Sequence, residues 1–188
     1  MALSREQVVE TAVDLLRRYG LADLTMRRLG RELGVAPGAL YWHVASKQEL
    51  LVEVAAALLE QLPEPPADQP PAEALVGLAV ALREALVQVP DGAGVVGLAY
   101  AVDPGSVRPL GSLARLVQAA GAPPTERDAV AALVLHHVLG SVAAQQDREL
   151  AGTLQPTSAS ASVGHLDAEA KAFEVGLSVL VRGLVASR

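Results

Sequence analysis

Residues 24–47, LTMRRLGRELGVAPGALYWHVASK, leave this chain few ways to fold. Thr25 has a hydroxyl that can cap a helix start. Met26, Leu29 and Leu33 follow at spacings of three and four, which puts one apolar face on a short helix. Gly34 stands where a helix stop needs a residue free to take positive φ. Val35 fills the corner, and Pro37 suits the first turn of a second helix, where its missing N–H is no loss. Leu40 and Val44 of that second helix point back to the first. The pattern predicts a helix-turn-helix, whose second helix lies in the DNA major groove.

The side chains left outside fit that use. Arg27, Arg28, Arg31 and Lys47 supply positive charge for phosphates or guanine edges. Tyr41 and His43 are hydrogen-bonding aromatics, and Trp42 adds an indole N–H beside a flat apolar surface. The small Pro37, Gly38 and Ala39 let the helix start approach the duplex. With Thr25, these residues make up the expected DNA-contacting set, apart from Arg31.

The run GVAPGALYWHVASKQELL resembles the recognition-helix signature of the tetracycline repressor (TetR) family. The likeness extends back through LTMRRLGRELG and the helix before it, over the first 62 residues or so. It implies a homodimeric, ligand-responsive transcriptional regulator, with Arg27 on a base edge; Lys47, from its place at a helix start, is expected on phosphate.

The rest of the chain is consistent with an all-α protein. Apolar residues are 51% of the 188 but aromatics only 3%, so the interior is built from Leu, Val and Ala, which suits helix packing. The absence of cysteine excludes disulfides, thiolate chemistry and Cys-based zinc sites. The start MALSREQ has no basic and apolar leader. The longest nearly apolar run, 129–144, is shorter than the ~20 residues of a membrane span, so a cytoplasmic protein with no membrane partner is expected. The net charge of −6 is unevenly spread. Residues 1–47 hold seven Lys/Arg against five Asp/Glu, leaving the acid excess in the remainder. A mildly basic head on an acidic body favours approach to DNA by the head.

In chain order, Ser4 and Gln7 form a capping box for a first helix, ending at Gly20, in which Tyr19 is expected to be packed. Ser46 and Glu49 open a fourth helix that stops at Pro63; in the family this helix links head to body. Five prolines in residues 63–71 cannot be helical and mark the boundary. The expected division is therefore a helix-turn-helix domain of three helices and its linking helix at 1–62, a joint at 63–71 and a larger helical effector-binding and dimerisation domain at 72–188. In that body, helices are predicted before Pro90, near 95–102, at 110–120, from Thr125 and from Asp167. Asp91 to Gly94 reads as a turn, and the Ser/Thr/Ala-rich 151–164 as a mobile loop.

No nucleophile–base arrangement, phosphate loop or metal cluster is legible, so neither enzyme activity nor a cofactor is expected. His136 and His137 point about 100° apart on a helix, too far to share a metal easily. The segments ALREALVQVPDGAGVV, LVLHHVLGSVAAQQDRE and FEVGLSVLVRGL resemble the body of the family's tetracycline-binding members. Against those, Val96 stands for a metal-binding histidine, Ala144 for a carboxylate that holds metal-bound water, and Pro63 for a drug contact, so the magnesium–tetracycline site does not carry over. The polar side chains left to line a pocket are Arg83, Tyr100, Gln118, His137 and Gln145, with His136 and Gln146 as weaker candidates, and they suit a small, largely apolar effector. By family analogy, the last two helices pair across a two-fold axis, with Phe173, Gly176, Leu177, Leu180, Gly183 and Leu184 at the interface. The function expected is that of a repressor released by its effector from palindromic double-stranded DNA. The alternative is a helical ligand-binding or protein-interaction module without DNA binding.

Overall fold

The computed structural model describes residues 3–66, 68–105, 107–154 and 159–186, the side chains of 108–109, 153–154 and 159–167 excepted. Its described residues form helices and no strands: α1 (Arg5–Asp23), α2 (Met26–Glu32), α3 (Pro37–Leu40), α4 (Lys47–Leu59), α5 (Pro71–Val87), α6 (Gly92–Val102), α7 (Arg108–Ala120), α8 (Arg127–Leu154) and α9 (Ala159–Ala186). They fall into two compact units, residues 1–61 with 88–108, and residues 62–87 with 109–188.

In the first unit, Ser4 caps α1 through a reciprocal box with Gln7. Val8, Ala12, Leu15 and Leu16 form the buried stripe of α1 and meet Leu50, Val54 and Leu59 of α4 in one core. Helical backbone is interrupted at Gly20 (φ 76, ψ 179) and resumes to Asp23. The interruption has a partner in α6. The Leu21 N–H donates to the Asp91 carboxylate at 2.7 Å, and a Cβ on Gly20 would lie 2.6 Å from the same oxygen. Asp91 itself is left-handed (φ 57), and Gly92 already belongs to α6, so the expected 91–94 turn is shorter than predicted. The apolar residues of α6, with Val95, Val96 and Ala99 buried, explain why it packs on α4.

In the second unit, α5, α8 and α9 pack on one another. Leu75, Leu82 and Leu86 of α5 and Val134, Leu135, Val138 and Val142 of α8 are buried, joined by Phe173 and Leu177 of α9. Helix α7 adds Leu110, Leu113 and Val117 to the buried set. One expectation needs correction here. Most of 151–164 is helical, α8 continuing to Leu154 and α9 beginning at Ala159 rather than Asp167; residues 155–158 lie outside those described. The Ala content of the segment sustains helix where a missing apolar stripe suggested loop. Helix α8 is also long and apolar enough, by length and composition, to cross a membrane. Within the unit it packs on α5 and α9, and its His137, Ser141 and Gln145 are hydrogen-bonded.

Candidate functional site

The helix-turn-helix is capped and turned as its residues predict, but its second helix is shorter than expected, α3 ending at Leu40 with 41–43 as a turn before the buried Val44. Thr25 caps α2, its hydroxyl accepting from the Arg28 N–H at 3.1 Å. Gly34 takes φ +69 at the turn. A second glycine, Gly30, matters as much and was not singled out by periodicity. The Val35 N–H donates to its carbonyl at 2.8 Å, and a Cβ there would lie 2.9 Å from the Val35 carbonyl oxygen and 3.3 Å from the Pro37 nitrogen. Leu29, Leu40 and Val44 are buried, and the turn between Leu40 and Val44 leaves Tyr41 and Trp42 exposed, Trp42 at 90%. Pro37 and Gly38 are exposed, and Ala39 and His43 are half-buried.

The cations sort into two groups. Arg5 bridges Glu49 and Glu53 at 2.7 and 2.8 Å, tying α1 to α4. Arg28 pairs with Asp23 and lies 3.8 Å over the Tyr19 ring. Tyr19 is thus 47% exposed and covered by a guanidinium, not packed inward as expected. Arg27 and Arg31 are exposed, and neither they nor Lys47 have a carboxylate partner among the described residues. Lys47 opens α4 beside Ser46, whose hydroxyl accepts from the Glu49 N–H at 3.0 Å. The Glu49 carboxylate reaches one residue further back than the expected box, to the Ala45 N–H at 2.7 Å. That bond, reinforced by Arg5 and opposed by desolvation, holds Glu49 below the usual carboxylate range.

A polar cluster lies inside the second unit. Arg83 of α5 donates through Nε to Ser141 (3.1 Å) and through Nη2 to Gln145 (2.6 Å). Its guanidinium lies 5.2 Å from the Phe173 ring. His137 stacks on the same ring with centroids 5.3 Å apart, and its Nε2 is 3.0 Å from the Phe173 carbonyl oxygen. Arg83, His137 and Gln145 therefore come together. Gln118 is exposed on α7, and Tyr100 belongs to α6 in the first unit. Ser141 and Phe173 were missed as cluster members, although His137, Ser141 and Gln145 at spacings of four share one line of α8.

Four of the expected dimer-interface residues are engaged in the chain's own packing. Phe173, Leu177 and Leu184 are buried within their own chain. Gly176 serves close approach by α8, since a Cβ would lie 2.4 Å from His137 Cε1. The hydrophobic stripe of α9 faces α5 and α8 because those helices need covering first. The face left open carries Val175, Val179 and Gly183, with Leu180 half-buried at its edge.

Comparisons with known proteins agree with this architecture. The profile described as "Bacterial regulatory proteins, tetR family" matches residues 8–54. The class C tetracycline repressor protein of Escherichia coli is 33% identical over 97% of this chain and 90% of its own. Among solved structures, BioQ of Mycobacterium smegmatis is 37% identical, covers 100% of both chains and superposes with a TM-score of 0.85. A structure of BioQ with its natural double-stranded DNA operator is 38% identical over 98% of this chain and 99% of that one, with a TM-score of 0.77.

Proposed function

The chain belongs to the tetR family of bacterial regulatory proteins and is a ligand-responsive, DNA-binding transcriptional regulator, and on that premise we propose that it is a cytoplasmic, homodimeric repressor and not a catalyst. Residues 1–62 bind a palindromic operator, 63–71 are the joint, and 72–188 bind a small, largely apolar effector and the second subunit. The observation that carries the DNA reading is the surface formed by exposed Tyr41 and Trp42 beside Arg27, Arg31 and Lys47, cations that no carboxylate of the described residues neutralises. Arg28 braces that surface through Asp23 and Tyr19 while its neighbour Arg27 reaches a base edge. Thr25, whose hydroxyl oxygen accepts from the Arg28 N–H, keeps its hydroxyl proton for a phosphate. Effector binding shifts the population toward a body shape in which the two recognition helices no longer match successive major grooves.

The test is salt-dependent binding to palindromic fragments upstream of the gene and its neighbours. Lys47→Ala should weaken every sequence alike and reduce the salt slope by about one. Arg27→Ala should cost roughly 1–3 kcal/mol and relax one operator position. An operator preference unchanged in Arg27→Ala removes the base-edge assignment, and no salt-dependent binding to any palindromic fragment removes the repressor reading.

For the dimer, the open face of α9 replaces its buried stripe: Val175 and Val179 with Leu180 and Gly183. Exposed valines beside a small residue suit a self-complementary helix contact.

A further inference from the structure

Resting on the effector reading above, we infer that the effector carries an anionic group, a carboxylate in the simplest case, at one end of its apolar body, and that Arg83 is the residue that receives it. Arg83 is a half-buried cation whose hydrogen bonds go to two neutral acceptors, Ser141 and Gln145. Among the described residues no carboxylate touches it; Glu149 is reached only through the Gln145 amide, which donates to it at 2.9 Å. Taking a guanidinium partly out of water without an opposite charge is unfavourable. The planar fork has a further donor, Nη1, without a bond among the described residues, and bidentate recognition of a carboxylate is what such a fork does best.

The surroundings supply the apolar part. An open groove of about 300 Å³ runs between α5 and α9, lined by Val76, Val80, Leu177, Val181 and Phe173. Val76, Val80 and Arg83 follow at spacings of four and three on one face of α5, and the Arg83 guanidinium lies 5.2 Å from the centre of the Phe173 ring that helps line the groove. Arg83 stands just outside that lining, so an occupant along the valines reaches the cation by extending past Phe173. Arg182, at the other end, donates only to the Ser178 carbonyl oxygen, and Glu174 on the α9 rim is paired with Lys171. One arginine of the lining, Arg182, and one beside it, Arg83, are thus without carboxylate partners among the described residues, and the one acid of the lining is paired. Its volume is at the lower end for a small-molecule site, which fits a single chain or ring system bearing one acid.

The experiment is calorimetric titration of the full-length protein with octanoate, decanoate and 4-phenylbutyrate, each against its primary amide, followed by operator release with the same compounds. At least one acid should bind with Kd below about 1 mM and about tenfold or more tighter than its amide. Arg83→Met, which keeps the stem over Phe173, should erase that acid–amide difference; Arg83→Lys should keep part of it, and Arg182→Met most of it. A lost structural brace would weaken acid and amide alike and leave their ratio intact, so the ratio reports the charge. Equal binding of acid and amide, no binding of any acid below about 1 mM, or a ratio that follows Arg182 rather than Arg83 overturns the assignment. Val76→Trp should block binding while the protein remains dimeric; dissociation of the dimer instead would make the groove a subunit interface and end the proposal. Acid binding at Arg83 without operator release would leave the anion site standing and remove the effector reading, so the two failures are told apart.

Discussion

Single residues decide how closely backbones approach one another in this protein, and the glycines test it. Gly30 and Gly34 sit four apart in the same turn but for different reasons. Gly30→Ala would push a methyl against the Val35 carbonyl and Pro37, backbone that cannot step aside, and should cost roughly 1–3 kcal/mol. Gly34→Ala meets open space and only the left-handed penalty, about 1–2 kcal/mol. Urea unfolding checks both, with loss of operator affinity expected to be larger for Gly30→Ala because it spreads α2 from α3. Charge at this scale has a definite sign with pH. Glu49 has a lowered pKa when folded, held mainly by the Ala45 N–H and then by Arg5. Its contribution is present above the unfolded carboxylate value of about 4.3 and is lost as pH falls through the lower folded value. Acid unfolding of Glu49→Gln should therefore show less pH dependence in that window than the unmodified protein. Equal slopes would remove Glu49 from the acid response.

At the scale of elements, α3 with the turn after it and α9 each present one face, and the burial of the other face chooses it. Leu40 and Val44 are buried, and the turn between them leaves Trp42, the one tryptophan of the chain, 90% exposed. Its emission should be that of an indole in water and should be quenched or blue-shifted on operator binding, with no such change for a non-specific duplex at high salt. A spectrum unaffected by operator would take Trp42 out of the interface. In α9, Gly176→Leu should expel His137 from its place against Phe173 and destabilise the second unit. By contrast, Val179→Glu touches only the open face. It should leave the thermal transition of dilute protein little changed and shift the assembly from dimer to monomer in sedimentation. A dimer unaffected by Val179→Glu would exclude that face.

At the scale of the whole molecule, two compact units divide the chain differently from its order in sequence. Residues 88–108 join the first 61 because α6 is apolar and packs on α4, and because Asp91 reaches the interruption of α1 at Leu21. Losing this carboxylate should be felt in the first unit. Asp91→Ala should lower the unfolding midpoint by an amount equivalent to about 0.5–1.5 kcal/mol, since the exposed Leu21 N–H loses its carboxylate acceptor to water. Hydrogen exchange at Leu21 that is unchanged in this variant would show that the bond does not protect it.

The local pattern was sufficient for the helix-turn-helix. Thr25, Gly34, Pro37 and the apolar spacing of Leu29, Leu40 and Val44 act within a few residues of one another, so propensity, capping and periodicity agree there. The same holds for the box at Ser4 and for α5, whose stripe of Leu75, Leu78, Leu82 and Leu86 is buried as its spacing requires. The tertiary structure alone decided which of two plausible partners a face or a charge would take. The stripe of α9 could satisfy itself within its own chain or across a dimer, and packing against α5 and α8 took Phe173 and Leu177 inward. Arg27 and Arg28 are the same residue type side by side, yet Asp23 and Tyr19 claim only Arg28. Arg83 meets Ser141 and Gln145 across about sixty residues of sequence, a separation over which periodicity carries no information. Contacts of that kind are made when helices pack, and they decide which charges are paired inside the fold and which are left without a carboxylate.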